Sequence, residues 1–302
     1  METAGRTVYV MSVVPDLSLK LRNKLPDVQV IDVKRRDVPQ MEITRGGLTE
    51  DDFQVLQDAE VLLIDNDLLP QAVERLPLLR WAQGTWAGVD NVINFFKNKL
   101  KPRIPISRMV SKSFSQLMAE YVLGSIICHE RSWMTSRQNQ LKSEWNKAAV
   151  MKYRSLQDLT VGVLGMGIIG REVAKYLRTF NSTVHAYTRT APPVESKSIH
   201  VDKYWKNAVL INVGRGDVIS EADIVKALDS GWISAAILDV VEKEPLSPES
   251  LLWTHPKCIL TPHTAAVVVF RPEDIADAFS RNYQDFLQGN SISGTIDFSR
   301  GY

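Results

Sequence analysis

Cysteine is nearly absent from this chain, and so is any excess of charge. Only Cys128 and Cys258 occur among 302 residues, which excludes a disulfide framework and a Cys-rich zinc site. Lysine and arginine total 36 against 35 acidic residues, for a formal net charge of +1. That balance gives no electrostatic reason to expect nucleic acid or an anionic membrane as partner. No apolar run approaches the ~18 residues that span a bilayer. The opening Met-Glu-Thr-Ala-Gly-Arg lacks the apolar core of a secretory signal, and the closing Arg-Gly-Tyr is no lipidation or peroxisomal address. Neither H-E-x-x-H nor C-x-x-C is present. The expectation is a cytosolic protein that binds no metal.

What is present is a chain with 44% apolar and 24% charged residues, long enough to bury one large core or two moderate ones. Short apolar runs alternate with helical spacing, the pattern of an α/β protein. Val8–Val13, Val28–Val33, Val61–Ile64 and Leu79–Gln83 read as strands, with a short edge strand inside Lys101–Ser107. Helices are expected near Asp16–Leu25 and at Leu48–Asp58, the latter capped by Thr49 and led by Glu50, Asp51 and Asp52. Residues from Phe114 to about Trp145 have the spacing of one long helix. A second α/β unit follows. Its strands are Thr160–Leu164, Thr183–Tyr187, Val209–Val213, Ala235–Val240 and Ile259–Thr261, and its helices Ile168–Phe180 and Glu221–Ser230. Arg271–Gly289 is a final helix whose tail is expected to pack back on the first unit. The expected division is 1–112 with 272–302, and 113–271.

Between the first strand and first helix of the second unit runs Val-Gly-Val-Leu-Gly165-Met166-Gly167-Ile168-Ile169-Gly170. A strand, then G-x-G-x-x-G, then a helix is the context that a dinucleotide-binding turn requires. Gly165 allows the tight turn, Gly167 the close approach of a pyrophosphate, and Gly170 helix–strand packing. An NAD site expects an acid about 20 residues further on, to bond the ribose hydroxyls. Here the next strand runs into Ala186-Tyr187-Thr188-Arg189. Arg189 either forks onto a 2′-phosphate or is a solvated loop residue. The missing acid favours NADPH, with NADH as the alternative.

Three later segments end strands: Asn212-Val213-Gly214-Arg215-Gly216, Asp239-Val-Val-Glu-Lys-Glu244-Pro245, and Thr261-Pro262-His263. Open α/β sheets bind ligands at such strand ends. With these residues the chain resembles the D-isomer-specific 2-hydroxyacid dehydrogenase family over nearly its whole length. Arg215 in an Arg-Gly pair, Glu244 before proline, and His263 after Thr-Pro match that family's catalytic positions. Trp86-Ala87-Gly88-Val89-Asp90 resembles the loop whose amides hold the substrate carboxylate, which makes Ala87 and Gly88 donors. Trp86, and the ending Ile-Asp-Phe-Ser-Arg-Gly-Tyr302, are similar to the glyoxylate/hydroxypyruvate reductase-like subgroup. Trp86 either walls the pocket or is a core aromatic.

The resemblance implies a Rossmann-type NAD(P)-binding domain, a flavodoxin-like substrate domain and a homodimer formed through the long-helix region. It implies cofactor contacts by Gly165, Met166, Gly167, Ile168, Ile169, Gly170, Arg189, Val213, Gly214 and Asp239. Reduction of a 2-oxo acid needs a hydride at the carbonyl carbon and a proton at its oxygen. Arg215 suits the carboxylate and the polarised carbonyl, and His263 titrates near neutral pH and suits the acid. Glu244 beside it orients the ring and favours imidazolium.

The pattern breaks in one place. Between Arg189 and Ala208 lie 18 residues, whereas a helix, a third strand and a crossover need about 25. One short helix near Val201–Lys206 is all that fits. An edge strand of the Rossmann sheet is therefore expected to be missing, with apolar cover lost from the strand Thr183–Tyr187, weaker cofactor binding and lower stability. Two functions fit: an NADPH-dependent reductase of glyoxylate or hydroxypyruvate type, and a non-catalytic or cofactor-impaired form that acts as an interaction or dimerisation partner. Asp65-Asn66-Asp67 reads as turn chemistry, Lys34-Arg35-Arg36 as solvated surface, His255 as a loop residue, and Trp133 and Trp145 as packing residues.

Overall fold

A computed structural model describes residues 7–35, 47–188, 207–266 and 271–300. The chain divides into two compact units, 1–111 with 269–302, and 112–268. Among the described residues no helix is long and apolar enough to cross a membrane.

The first unit holds a parallel sheet of β1 (Thr7–Met11), β2 (Gln29–Asp32), β3 (Val61–Ile64), β4 (Trp81–Gly84) and β5 (Ile106–Ser107), in the order β2-β1-β3-β4-β5. That is the flavodoxin-like doubly wound order, whose ligand sites lie at the C-terminal strand ends. Every residue of β3 and β4 is buried, as a central strand covered on both faces requires. The helices are α1 (Leu17–Lys24), α2 (Glu50–Leu56), α3 (Leu69–Arg75) and α4 (Asp90–Phe96). Thr49 caps α2 in a reciprocal box with Asp52. Helix α3 was hidden in the sequence because Pro70 resembles a breaker, although it occupies the first turn, where no amide partner is lost. The last helix, Pro272–Gln288, stops at Gly289 in the left-handed conformation (φ 70°). It stacks Phe279 and Phe286 on the buried Trp81, with ring centroids 4.8 and 5.4 Å apart. Salt bridges Lys20–Glu273 and Lys24–Asp277 tie it to α1. The tail beyond it returns to this unit, as expected, through a bridge between Ser107 and Thr295 and burial of Ile296.

The second unit begins with α5 (Lys112–Glu130) and α6 (Trp133–Leu141). The single long helix expected here is broken at Ser132, which takes a left-handed φ of 50°. Helix α6 buries none of its residues. Trp133 is 57% and Trp145 98% exposed, so neither packs in a core of this chain, contrary to expectation. Then follow β6 (Thr160–Leu164), α7 (Ile168–Thr179), β7 (Thr183–Tyr187), β8 (Ala208–Asn212), α8 (Glu221–Asp229), β9 (Ile233–Leu238) and β10 (Cys258–Leu260), with all strand pairs parallel.

The hydrogen-bonded strands form two groups, β6-β7 and β8-β9-β10. Beta-strands β6 and β8 share the apolar cluster of Val161, Val163, Ile211 and Val213 under α5 and α7, but no ladder joins them among the described residues. Along β6, Val161 and Val163 turn to that cluster, while Thr160, Gly162 and Leu164 stay exposed. Leu164 is 63% exposed and its register partner Tyr187 57%. Parallel sheets are normally covered on both faces. Among the described residues, β6 turns only one face to the helices, and β7 keeps Val184, His185 and Ala186 half-buried. The short helix expected near Val201–Lys206 lies outside the described residues.

Candidate active site

The glycine turn forms as its spacing requires. Gly165 takes a φ of +99° and donates its N–H to Tyr187 O at 2.9 Å, which ends β6 and opens the turn. A Cβ on Gly170 would lie 1.9 Å from Gly165 O and 3.2 Å from Val163 Cγ1, so helix and turn touch at a point where only glycine fits. A Cβ on Gly167 would meet nothing within 4 Å. Gly167 is also the N-cap of α7 and offers no side-chain acceptor to its first-turn amides. Protein packing thus explains Gly170 but not Gly167. A bare helix N-terminus with open space before it suits a pyrophosphate. Met166 O accepts from Arg171 Nε at 3.0 Å. Ile168 is exposed, whereas Ile169 packs into the cluster under β6.

Beyond β8, Val213 joins the same cluster. Asn212 braces the next turn: its Oδ1 accepts from Gly214 N–H at 3.1 Å and its Nδ2 donates to Arg215 O at 2.9 Å. A Cβ on Gly216 would stand 1.9 Å from Val241 O. The turn that carries Arg215 therefore lies directly against the chain leading to Glu244.

Glu244 Oε2 and His263 Nδ1 are 2.7 Å apart, and Glu244 Oε1 accepts from Val241 N–H at 3.3 Å. The peptide bond from Glu244 to Pro245 is cis. Both side chains are partly open to solvent. His263 has a left-handed φ of 55°, a conformation that a residue with a bulky side chain keeps only when its surroundings enforce it. Here the enforcement comes from Asp239, at the end of β9. Its backbone O accepts from His263 N–H at 2.8 Å. Its buried carboxylate accepts from Thr261 Oγ1 at 2.6 Å, Thr264 N–H at 2.8 Å and Ala265 N–H at 2.9 Å. Tyr121 of α5 adds a bond to Thr261 Oγ1 at 2.6 Å. Burial pushes the Tyr121 phenol above its ordinary range, and the Asp239 charge pushes the same way against the Thr261 bond. Arg215, Glu244 and His263 thus stand at the ends of the neighbouring strands β8, β9 and β10. Arg189 lies outside the described residues.

In the first unit, the segments after β3 and β4 are held together. Asp65 accepts from Ser12 Oγ (2.6 Å), Thr85 Oγ1 (2.7 Å), Val13 N–H (2.8 Å) and Arg35 Nη1 (2.8 Å). Arg35 also pairs with Asp67 at 2.5 Å, and its side chain is only 7% exposed. The sequence placed Arg35 on the solvated surface, and the structure corrects this. Arg35 is drawn inward because two carboxylates offset its desolvation. Burial pulls its pKa down, but the bonds from Asp67 and Asp65 outweigh that and hold it above the usual guanidinium range. Asn66, read from sequence as turn chemistry, accepts from Trp86 N–H at 3.0 Å. It donates to Trp86 O at 3.2 Å and Gly88 O at 2.5 Å. Arg108 Nη1 donates to Ala87 O at 3.2 Å. The carbonyls of Trp86, Ala87 and Gly88 are therefore all engaged. Among the described residues, no acceptor lies within bonding range of the Ala87 or Gly88 N–H. Trp86 is half-buried. Also among the described residues, no group of three His, Cys, Asp or Glu is placed to hold a metal ion.

Residues 123–204 and 198–265 match the family described as D-isomer specific 2-hydroxyacid dehydrogenase, NAD binding domain. The two stretches meet inside the segment that the sequence marks as short. Among solved structures, the chain is similar to a D-isomer specific 2-hydroxyacid dehydrogenase family protein from Aeromonas salmonicida, with 26% identity and a TM-score of 0.75, covering 98% of this chain and 100% of that one. A D-isomer specific 2-hydroxyacid dehydrogenase from Xanthobacter autotrophicus, solved with NADPH and MES, is 24% identical with a TM-score of 0.77 (98% and 99% covered). An NADPH-dependent glyoxylate/hydroxypyruvate reductase from Sinorhizobium meliloti, solved with NADP and sulfate, is 24% identical with a TM-score of 0.73 (98% and 99% covered).

Proposed function

We propose that this chain, whose residues 123–204 and 198–265 match the NAD binding domain of the D-isomer specific 2-hydroxyacid dehydrogenases, reduces a small 2-oxo acid of the glyoxylate or hydroxypyruvate type to the D-2-hydroxy acid. NADPH is the proposed cofactor, with NADH the weaker one. The observation that carries the reading is the 2.7 Å His263–Glu244 pair, with His263 in a loop fixed by Asp239 and Glu244 beyond the strand next to that of the Arg215 turn.

The roles follow from the chemistry of each group. Glu244 holds His263 by Nδ1 and leaves Nε2 as the proton donor. His263 gives that proton to the carbonyl oxygen while the carbonyl carbon receives hydride, so imidazolium becomes neutral imidazole and Glu244 stays ionised throughout. Arg215 pairs with the substrate carboxylate and polarises the carbonyl. Ala87 and Gly88 N–H donate to the carboxylate, and Trp86 limits the size of the substituent. The 112–268 unit is the cofactor-binding domain, and 1–111 with 269–302 the substrate domain.

The turn at 165–170 fits a dinucleotide, because its open space and uncapped amides match a diphosphate. Gly165, Met166, Gly167, Ile168, Ile169 and Gly170 would hold that group, with Val213 and Gly214 beside it. Asp239 would act there indirectly, through the loop it organises. NADPH, when bound, supplies the hydride. The proposal includes Arg189 as the 2′-phosphate partner, a homodimer and a cytosolic location. The wholly unburied α6 supports the dimer, and two free cysteines accord with the cytosol.

A second reading, a cofactor-impaired partner protein, is favoured by the exposure of Thr160, Gly162 and Leu164 along β6 and, among the described residues, by the lack of a ladder from β6 to β8. Titration of the folded chain with NADPH and NADH, followed by fluorescence, separates the two. Saturable binding with NADPH the tighter supports the reductase, and a glyoxylate and hydroxypyruvate assay follows. Folded protein that binds neither refutes it. Arg189→Asp is expected to abolish the preference for NADPH.

A further inference from the structure

We propose that Asn66 is a positioning residue, which clamps the Trp86–Gly88 loop so that the Ala87 and Gly88 N–H groups present themselves to a substrate carboxylate. The inference rests on the reading of those two amides as carboxylate donors.

The geometry is that of a bracket that fills three of the carboxamide's four bonding positions. A carboxamide offers two donor hydrogens and two acceptor lone pairs. Asn66 spends both hydrogens on carbonyls of the loop, Trp86 O and Gly88 O, and its Oδ1 accepts from Trp86 N–H. Its own backbone O accepts from Asn91 Nδ2. The side chain is buried, so water does not substitute freely for these bonds. In a trans peptide the N–H points opposite to the preceding carbonyl, so Asn66, by holding Trp86 O, turns the Ala87 N–H away from itself, and Arg108, by holding Ala87 O, sets the direction of the Gly88 N–H. Adjacent N–H groups that face the same way form an anion-receiving concavity, and these two have no acceptor within the described protein. Gly84 belongs to the same device. A Cβ there would lie 2.2 Å from Asn66 Oδ1, so glycine at the end of β4 is what lets the carboxamide fold over the loop. Asp65 fixes the base of the bracket through Arg35 and Thr85. No other residue type makes all three bonds from this position. Aspartate keeps the Trp86 N–H bond but loses both donations, and alanine loses all three.

The test uses the full-length chain, with oxamate as an unreactive probe and glyoxylate as substrate. Asn66→Ala should raise the oxamate Kd and the glyoxylate KM about tenfold, leave kcat within about threefold, and remove the hydrogen-exchange protection of the Trp86 amide; one tenfold step corresponds to ~1.4 kcal/mol. NADPH affinity should not move. Asn66→Asp keeps the size of the side chain and should show the raised KM with Trp86 protection retained, which keeps the test usable if the alanine variant does not fold. A KM and oxamate Kd within twofold of the parent, or a fall in kcat with KM unchanged, overturns the proposal. If the parent chain itself binds no oxamate while Asn66→Ala still exposes the Trp86 amide, the clamp stands and it is the carboxylate role of Ala87 and Gly88 that fails.

Discussion

Replacing Asp239 by asparagine exchanges one oxygen for an NH2 and should loosen the loop that carries His263. The parent carboxylate is buried and accepts from three donors at 2.6 to 2.9 Å. An amide of the same shape has one oxygen and one NH2. Whichever way it turns, at least one donor of the loop then faces another donor. The lowest-cost arrangement sets the NH2 against Ala265 N–H, loses that bond and removes the charge from the other two. A hydrogen bond to a charged group contributes roughly 1.5–3 kcal/mol, so Asp239→Asn should cost about 2–3 kcal/mol. Asp239→Ala leaves all three donors without their acceptor and should cost about 4–5 kcal/mol, the upper range for single substitutions. Denaturant unfolding followed by far-ultraviolet circular dichroism reads these values. The His263 N–H itself goes to the Asp239 backbone O, which the substitution keeps, but the carboxylate fixes Thr261, Thr264 and Ala265 on either side of it, so the imidazole should shift as well. A displacement near 1 Å at a reacting group costs ~100-fold in rate, and kcat for glyoxylate should fall by about that factor. An asparagine variant within about 0.5 kcal/mol of the parent, with kcat intact, would show that the 261–265 loop holds its own shape.

The two glycines of the nucleotide turn should respond oppositely. Gly170→Ala forces a Cβ onto Gly165 O and should lower both stability and NADPH affinity, whereas Gly167→Ala should leave the melting temperature unchanged and weaken NADPH alone. His263→Ala should reduce kcat by ~100-fold to ~10,000-fold, the range of a lost general acid, with NADPH binding preserved; full activity in that variant refutes the proposed proton donor. Partial burial pushes the Glu130 carboxyl up, but its bonds from the Arg154 side chain and backbone outweigh that and hold it below the ordinary carboxylate range. A depressed folded pKa contributes stability that is fully present above the unfolded value of ~4.3 and is lost as the pH falls through the folded one. Glu130→Gln should therefore flatten the acid limb of the stability curve below about pH 5, as read by urea midpoints at a series of pH values.

Much of the fold was legible because local and global preferences agree. Val61–Ile64, Thr160–Leu164 and Thr183–Tyr187 are short β-branched or apolar runs between turn residues, and each became a strand with those bounds. Thr49 with Asp52 three residues on wrote its capping box directly into the sequence. The glycine turn and the His263 segment were legible for a related reason, since their residue types answer local backbone demands. The Asn66 bracket and the Arg35–Asp65–Asp67 group were not. Asp-Asn-Asp after a strand has the composition of any turn, and a short basic run has that of any surface. What makes them different is burial by loops 20 to 50 residues away, which no local pattern records. Asp239 shows an intermediate case. Its position at a strand end marked it for a ligand, whereas its oxygens are committed to the histidine loop. Trp145 shows the converse, because a large aromatic in a helical pattern suggests a core, whereas the helix ends at Leu141 and leaves Trp145 in solvent.

The distribution of tryptophan has a spectroscopic consequence. Among the tryptophans of the described residues, Trp81 alone is sealed from solvent, stacked on Phe279 and Phe286 in the first unit. Trp133, Trp145, Trp232 and Trp253 of the second unit are already wet in the native state. Their emission has little further to shift when the chain unfolds, whereas that of Trp81 must move to the red. Intrinsic fluorescence therefore reports on the two halves unequally. So far as the described tryptophans carry the signal, a melt followed by it is chiefly the melt of the Trp81 sheet, and earlier loosening around the four exposed rings would pass through it almost unseen.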